Sequence, residues 1–395
     1  MYQLLLIKRM IEGIFLFPFI LLGRLMAMLH PMKKEYSIFF FFPFYHTGGA
    51  EKVHAQITTA IGGSNSIIFF TKKSDDDRFL EEFKKSGCEI RDISKYTDNK
   101  WLYFLNLIYR GIITGYINTQ KQKPVVFNGQ CNFGYKISPW INKSIAQIEL
   151  IHSLNSFSYI RIPFIPFISK TIMISQKRIH DHKALYKLYG IPENLLSRIY
   201  YIPNAIQLSG TVTKKATSDL SILYVGRGTK EKRAHLIAAI AKELSGSNTR
   251  FEMMGDVSAA INKTDYPFVV FHGNISDEKK INEIYQQAQV LILTSTTEGF
   301  PMVIMEAMAN GLAIISTAVG DIPFHVKNGE NGFLFSDAGS ESLIIKEGVT
   351  YILSLKNNPD TLSKIAGRNI IYAKDNFGID RFNNDYRNLI STVNK

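Results

Sequence analysis

Residues 294–311 read T-S-T-T-E-G-F-P-M-V-I-M-E-A-M-A-N-G. The apolar run before them, V-L-I-L at 290–293, has the pattern of a buried parallel strand that enters a polar loop. Pro301 stands at the expected first helical position, where its fixed φ suits N1 and its missing N–H is no loss. The helix that follows should present backbone N–H groups from Met302 and Val303 onward at its positive end, a site for phosphate. Two carboxylates flank that site. Glu298 lies in the loop, and Glu306 lies five residues beyond Pro301, roughly 7–8 Å along at 1.5 Å per residue. Such a pair suits a ligand with hydroxyl-rich groups on both sides of a diphosphate, as in a nucleotide sugar.

The surrounding chain has 395 residues, which predicts two domains. With 46% hydrophobic and 20% charged residues it can bury cores without disulfides, and its two cysteines, Cys88 and Cys131, fall in no metal-binding spacing. The net charge of +12 is unevenly placed. Residues 1–205 carry 26 Lys and Arg against 14 Asp and Glu, whereas residues 206–395 carry 20 of each. The excess points the first half towards an anionic membrane surface or a phosphorylated lipid. Nucleic acid is not expected, since no basic helix, aromatic RNA-binding motif or zinc finger is present. Asp75, Asp76 and Asp77 read as a solvated turn between basic residues, and no His/Cys/carboxylate spacing implies a metal.

Residues 1–30 are apolar, with Lys8 and Arg9 near the start. Their longest charge-free run, 13–23, spans roughly 16 Å as a helix against about 30 Å of hydrocarbon. An interfacial anchor, a short or tilted span, a cleaved signal and a helix packed on the body of the domain all remain open. From residue 37 strands and helices alternate. Expected strands cover 37–44, 66–71, 125–128, 146–151, 171–175 and 198–202. Gly48 and Gly49 separate the first strand from its helix and would let backbone approach a ligand. His152 follows a strand end, where open α/β sheets bind ligands. Y-I-R-I-P-F-I-P-F at 159–167 is expected as a loop, because two prolines oppose a regular helix or central strand. It could line an acceptor, touch a membrane or fold into the core. A polar linker should run from Pro203 to about Leu220. The grammar then restarts, with strands at 221–225, 250–254, 268–271, 290–293 and 313–316, a short one ending near 334, and three helices from residue 340. Gly226-Arg227-Gly228 and Lys232 follow the first of these strands, where two cations can neutralise a departing pyrophosphate.

V-G-R-G-T-K-E-K at 225–232, E-G-F-P-M-V-I-M-E at 298–306, A-M-A-N-G at 307–311 and N-G-E-N-G-F-L at 328–334 together resemble family 4 retaining glycosyltransferases (glycosyl transferases group 1). The resemblance covers residues 37–395. It implies the GT-B fold, an α/β architecture of two facing Rossmann-like domains with the active site in their cleft. The expected division is an acceptor-binding domain over 31–205, a nucleotide-sugar-binding domain over 206–375, and a C-terminal helix over 376–395 returning to the first domain. By the same resemblance Glu298 contacts the donor sugar, Glu306 the ribose hydroxyls, and Arg227 and Lys232 the diphosphate. Gly48-Gly49 would close over that diphosphate, and His152 would orient the sugar at the reaction centre. Gly299, Phe300, Pro301, Met302 and Val303 complete the donor loop, with Gly255 and Asn274 near the base. Gly320-Asp321-Ile322-Pro323-Phe324 departs from the family's Gly-Gly-x-Pro-Glu and is expected to leave the phosphate site intact.

The expected reaction moves a hexose-type sugar from a nucleotide-diphosphate donor to a hydroxyl of a glycan or lipid-linked acceptor, with retention and without metal or cofactor. Envelope polysaccharide synthesis on the inner, cytoplasmic face of the cell membrane is the matching setting. A nucleotide-sugar epimerase needs no acceptor or membrane contact, and a non-catalytic sugar-nucleotide scaffold needs no intact cations. Both are the competing readings.

Overall fold

The computed structural model describes residues 1–393 apart from 47, 78, 155 and 209–218. Most of the expected linker therefore lies outside the described residues. The chain forms two compact units, one of residues 1–203 with 382–395 and the other of residues 204–381.

The first unit is built on a parallel sheet of β1 (Ile38–Phe42), β2 (Ser66–Phe70), β3 (Glu89–Asp92), β4 (Val125–Asn128), β5 (Gln147–Ile151), β6 (Lys170–Met173) and β7 (Ile199–Tyr201). Their order is β3-β2-β1-β4-β5-β6-β7. β1 reads Ile-Phe-Phe-Phe-Phe and is buried along its whole length, as a central strand covered on both faces must be. β3 had no counterpart in the sequence reading. Glu89, Arg91 and Asp92 give it a polar, half-exposed edge rather than an apolar run. The residue 159–167 stretch is not a loop. Ser156–Ile160 is α-helical and Ile162–Phe167 is a 3-10 helix. Prolines at 163 and 166 are tolerated because so short a helix has few internal N–H bonds to lose. Ile162, Phe164 and Ile165 are buried, so the turn belongs to the core. Between the two helices Arg161 is fully buried, and its guanidinium forks onto Glu149 of β5.

The N-terminal helix, Tyr2–Leu29, packs along the helix Tyr103–Asn118. A Cβ on Gly23 would lie 2.2 Å from the Ile108 carbonyl oxygen, and one on Gly111 would lie 2.4 Å from that of Ile20. Only glycine permits this backbone contact. Among the described residues no helix is long and apolar enough to cross a membrane. The packed-helix alternative holds along one face. The opposite face leaves Leu4, Ile14, Phe15, Leu22 and Leu29 exposed, as is the neighbouring Trp101, at 95%.

The second unit carries β8 (Leu220–Val225), β9 (Thr249–Met254), β10 (Val269–Gly273), β11 (Val290–Leu293), β12 (Ala313–Thr317) and β13 (Gly332–Phe335). Their order is β10-β9-β8-β11-β12-β13, again all parallel. Its core joins Leu223, Ile292, Ile304, Met308 and Ile315, which tie the sheet to the helix Met302–Ala309. The final helices are Glu341–Asn357, Pro359–Phe377 and Ile379–Ser391, the last starting after Gly378 rather than near residue 375. In the first unit, Tyr386 of that helix lies 6.3 Å from Phe127 of β4, and Arg387 Nε donates to the Ala60 carbonyl at 3.0 Å.

Candidate active site

In both sheets strand order reverses at the centre, between β1 and β4 and between β8 and β11. Loops leaving the carboxyl ends of two such strands diverge and leave a crevice between them. Of the sequence-selected residues, Gly48 and Gly49 follow β1, Arg227 and Lys232 follow β8, and Glu298 to Pro301 follow β11; His152, Gly255 and Asn274 follow β5, β9 and β10, and Met302, Val303 and Glu306 lie in the helix after β11.

In the second unit the loop after β8 is locked by close backbone contacts. The Gly226 N–H donates to the Met254 carbonyl at 2.9 Å, and the Gly228 N–H to that of Asp256 at 2.6 Å. A Cβ on Gly228 would lie 2.7 Å from Val257 backbone atoms. Gly255 has φ +120°, and a Cβ there would lie 2.1 Å from the Gly226 carbonyl oxygen. Its expected nearness to the nucleotide therefore accompanies a packing role. Asn274 is exposed just past β10. Arg227 is exposed at the tip of the β8 loop, while its carbonyl accepts from the Tyr224 hydroxyl at 2.8 Å. Lys232 Nζ donates to Glu298 Oε1 at 2.6 Å, joining the β8 loop to the β11 loop.

Sequence reading missed Arg233. It sits in the left-handed region at φ 48° immediately before the helix Ala234–Glu243. Its guanidinium donates to the carbonyls of Thr294 at 2.7 Å and Ala338 at 2.8 Å. Thr294 Oγ1 in turn donates to the carbonyls of Lys232 and Arg233. This clasp fixes the spacing of the two loops and is invisible to a motif search, because its acceptors are backbone atoms.

Pro301 is the N-cap of the helix Met302–Ala309, with φ −68° and ψ 131°, rather than its first residue. Met302 and Val303 then supply the first-turn N–H groups, which have no partner within a helix. Phe300 differs more from expectation. Its ring is buried 4.1 Å from the His325 ring and 5.2 Å from that of Phe377, leaving only its backbone for a ligand. Gly299 is held from below, its carbonyl accepting from the Asp321 N–H at 2.8 Å. Gly320, with φ +61°, would place a Cβ 2.2 Å from that same oxygen. The divergent loop at 320–324 is thus the floor of the Glu298–Gly299 turn. Glu306 is half-buried and accepts from the Tyr285 hydroxyl at 2.9 Å. Burial, then the nearby Glu306 carboxylate, hold the Tyr285 phenol far above its ordinary range, so it remains a donor.

In the first unit Gly48 caps the helix Gly49–Ile61, and a Cβ on Gly48 would lie 2.2 Å from the Glu51 carboxylate. That side chain folds back across the start of its own helix, and His46 Nε2 lies 4.0 Å from it. His152 follows β5. Its Nε2 lies 2.9 Å from Nε2 of His54, a buried helix residue whose ring stacks on Phe42 at 4.3 Å. Burial lowers the His152 pKa to about 4. Burial, then the proximity of His152, lower that of His54 well below its ordinary value. Two neutral rings share one hydrogen between these nitrogens, one donating and the other accepting, so the tautomers of His54 and His152 are coupled. The backbone N–H of His152 donates to Gln130 Oε1 at 3.1 Å, and Gln130 is itself in the left-handed region at φ 57°. Neither His54 nor Gln130 was singled out by sequence, since each acquires meaning only through its distance to His152.

Residues 211–368 match the Glycosyl transferases group 1 family model. Of the curated relatives, an uncharacterized 41.2 kDa protein in the cps region of Klebsiella pneumoniae is 25% identical over 60% of this chain. The chain spans 64% of that relative's length, and smaller fractions of several others. The capsular polysaccharide biosynthesis glycosyltransferase CapM of Staphylococcus aureus is 26% identical over 68% of this chain and 78% of its own. Among solved structures, Anabaena Alr3699/HepE in complex with UDP and glucose superposes with a TM-score of 0.70 at 16% identity, covering 91% of this chain and all of that one. The family match falls within the second unit, and the two parallel sheets have the GT-B fold.

Proposed function

We propose that this protein is a retaining glycosyltransferase that moves a hexose-type sugar from a nucleotide-diphosphate donor to a hydroxyl of a glycan or lipid-linked acceptor. The observation that carries the reading is the Lys232–Glu298 ion pair across the reversal point of the second sheet, beside the first turn of the helix Met302–Ala309. Support comes from the group 1 match, from a relative named as a capsular polysaccharide biosynthesis glycosyltransferase, and from a structural neighbour whose complex contains UDP and glucose.

In this reading Arg227, Lys232 and the N–H groups of Met302 and Val303 hold the diphosphate. A lysine ammonium has three hydrogens, so Lys232 can keep its bond to Glu298 while donating to a phosphate oxygen. That shared ammonium orients the Glu298 carboxylate towards sugar hydroxyls, and Glu306, oriented by Tyr285, receives the ribose hydroxyls. Gly48 and Gly49 serve the diphosphate, and His152 serves the sugar. During transfer a bond forms between the acceptor oxygen and the anomeric carbon as the bond from that carbon to the diphosphate breaks. The electron pair leaves with the diphosphate, and the acceptor's proton is lost to it or to water. Preorganised positive charge stabilises that leaving group without a divalent ion. Activity is therefore expected to survive EDTA.

Capsular relatives favour envelope polysaccharide synthesis, and the basic, apolar first unit favours peripheral attachment to the cytoplasmic face of an anionic membrane. Arg227→Ala and Lys232→Ala should each lower kcat/KM by about 10²–10³-fold, roughly 3–4 kcal/mol, with unchanged circular dichroism. Near-normal turnover in both variants would remove the assigned roles.

A further inference from the structure

Two neighbouring cavities in the first unit share one lysine. The larger, about 540 Å³, is walled by Met10, Ile14 and Phe17 of the N-terminal helix together with Trp140 and Phe164, and Arg9 and Lys136 bring two cations into it against one acid, Glu12. Met10, Ile14 and Phe17 also lie on the exposed apolar face of that helix, so the cavity meets this face. The smaller, about 220 Å³, is polar and contains Lys72, Arg110 and Lys136 against one acid, Asp98. It reaches Gln130, the residue that accepts from the His152 backbone.

We infer that the two cavities form the acceptor site and take a lipid with a phosphate- or diphosphate-linked sugar head: hydrocarbon in the larger, phosphate at Lys136, sugar towards Gln130. This assignment rests on the glycosyltransferase reading and gives it an acceptor class.

The charges support an anionic occupant. Lys136 Nζ lies 4.0 Å from Glu12 Oε2 and 5.2 Å from the Phe164 ring centroid, a loose setting for a half-buried ammonium. Burial lowers its pKa, as expected for a cation whose nearest carboxylate is beyond hydrogen-bond reach. Arg9 lies over the Phe167 ring at 4.7 Å, and its Nε is buried without a hydrogen-bond partner in the protein. A phosphate between these groups would satisfy both. The apolar walls select further. A soluble glycan can stack on Trp140 but matches the aliphatic wall of Met10 and Ile14 less well than a hydrocarbon chain does, and a hydrocarbon alone leaves the Lys136 and Arg9 cations without a hydrogen-bonded counter-charge. A phosphorylated lipid meets both demands.

The chain has two tryptophans, so Trp101→Phe leaves Trp140 as a reporter inside the larger cavity. Full-length Trp101→Phe protein in detergent would be titrated with a polyprenyl phosphate, with the corresponding polyprenol and with inorganic phosphate. Thermal stabilisation by UDP, GDP and ADP would be measured on the same samples. The expected result is a saturable change in Trp140 emission with the polyprenyl phosphate alone, weakened at least about tenfold by Lys136→Met and by Arg9→Met. Nucleotide stabilisation should persist in both variants, which also reports that they fold. Equal response to polyprenol, a response to inorganic phosphate matching that to the lipid, or unchanged affinity in Lys136→Met would overturn the site. With nucleotide stabilisation intact, those results would leave the glycosyltransferase reading standing. Loss of all nucleotide stabilisation in the unsubstituted protein would instead contradict that reading, and with it the acceptor role.

Discussion

At the scale of single residues, the groups proposed to meet the donor and the groups that hold them differ in how they show in sequence. Glu298, Glu306, Arg227 and Lys232 stand at fixed offsets beside glycines and a proline, so their spacing carries information. Arg233, Tyr285, His54 and Gln130 act through contacts with residues 21 to 105 positions away, which no local pattern encodes. Phe300 shows the converse: a residue inside the motif whose ring serves the core. His54 is a positioning residue, because it contacts His152 rather than a substrate. His54→Phe should keep the stacking on Phe42 but release the His152 tautomer. The expected outcome is about a tenfold or greater fall in kcat with KM little changed, and an altered pH–rate profile. An unchanged profile would reduce His54 to packing. Stability should follow the same groups. Burial lowers His152, His182 and His325 each to about 4. A histidine depressed in the fold binds its proton more readily when unfolded. The stabilisation is therefore complete above about pH 6.5 and lost as pH falls towards 4. Thermal melts between pH 7.5 and 4.5 should show Tm falling through that window.

At the scale of elements, strands β1 and β11 were legible because a parallel strand covered on both faces reads as an unbroken apolar run, and β5, β8 and β12 keep most of that pattern around one or two polar residues. β3 was not, since an edge strand can afford Glu89, Arg91 and Asp92. The turn at 159–167 was misjudged as a loop because proline weighs against regular helix, whereas a single 3-10 turn tolerates it. What anchors that turn is the Arg161–Glu149 pair, both side chains fully buried. Thr171 Oγ1 donates to the same carboxylate at 2.6 Å, and the Tyr186 hydroxyl accepts from the guanidinium. Burial raises the Glu149 pKa, but Arg161 and its hydrogen bonds outweigh this and hold the carboxylate ionised. Glu149→Gln leaves a buried guanidinium without its counter-charge and should cost about 3–5 kcal/mol in urea unfolding. A loss below 1 kcal/mol would mean that the pair is dispensable to the first unit.

At the scale of the whole molecule, the uneven charge in the sequence points towards an anionic partner, whereas the role of residues 1–30 is not legible there. A helix that packs through Gly23 and exposes the leucines and phenylalanines around it mixes two signals in one apolar string. Deleting residues 1–30 would also uncover the Gly111 face, so a milder change isolates the outer surface. Phe15→Asp, at a position 74% exposed, should release the protein from anionic vesicles in flotation without lowering Tm. Undiminished binding that is also insensitive to salt would refute attachment through this face.

The central claim is that the loops after β8 and β11 hold a nucleotide diphosphate, and thermal unfolding with UDP, GDP and ADP tests it most directly. A nucleotide at 100 times its Kd adds about 2.7 kcal/mol, a rise of a few degrees for units of this size. The account predicts that one of the three raises Tm of the unsubstituted protein, and that Lys232→Ala and Glu306→Gln lose most of the rise. No shift with any nucleotide, or an equal shift in both variants, would contradict it.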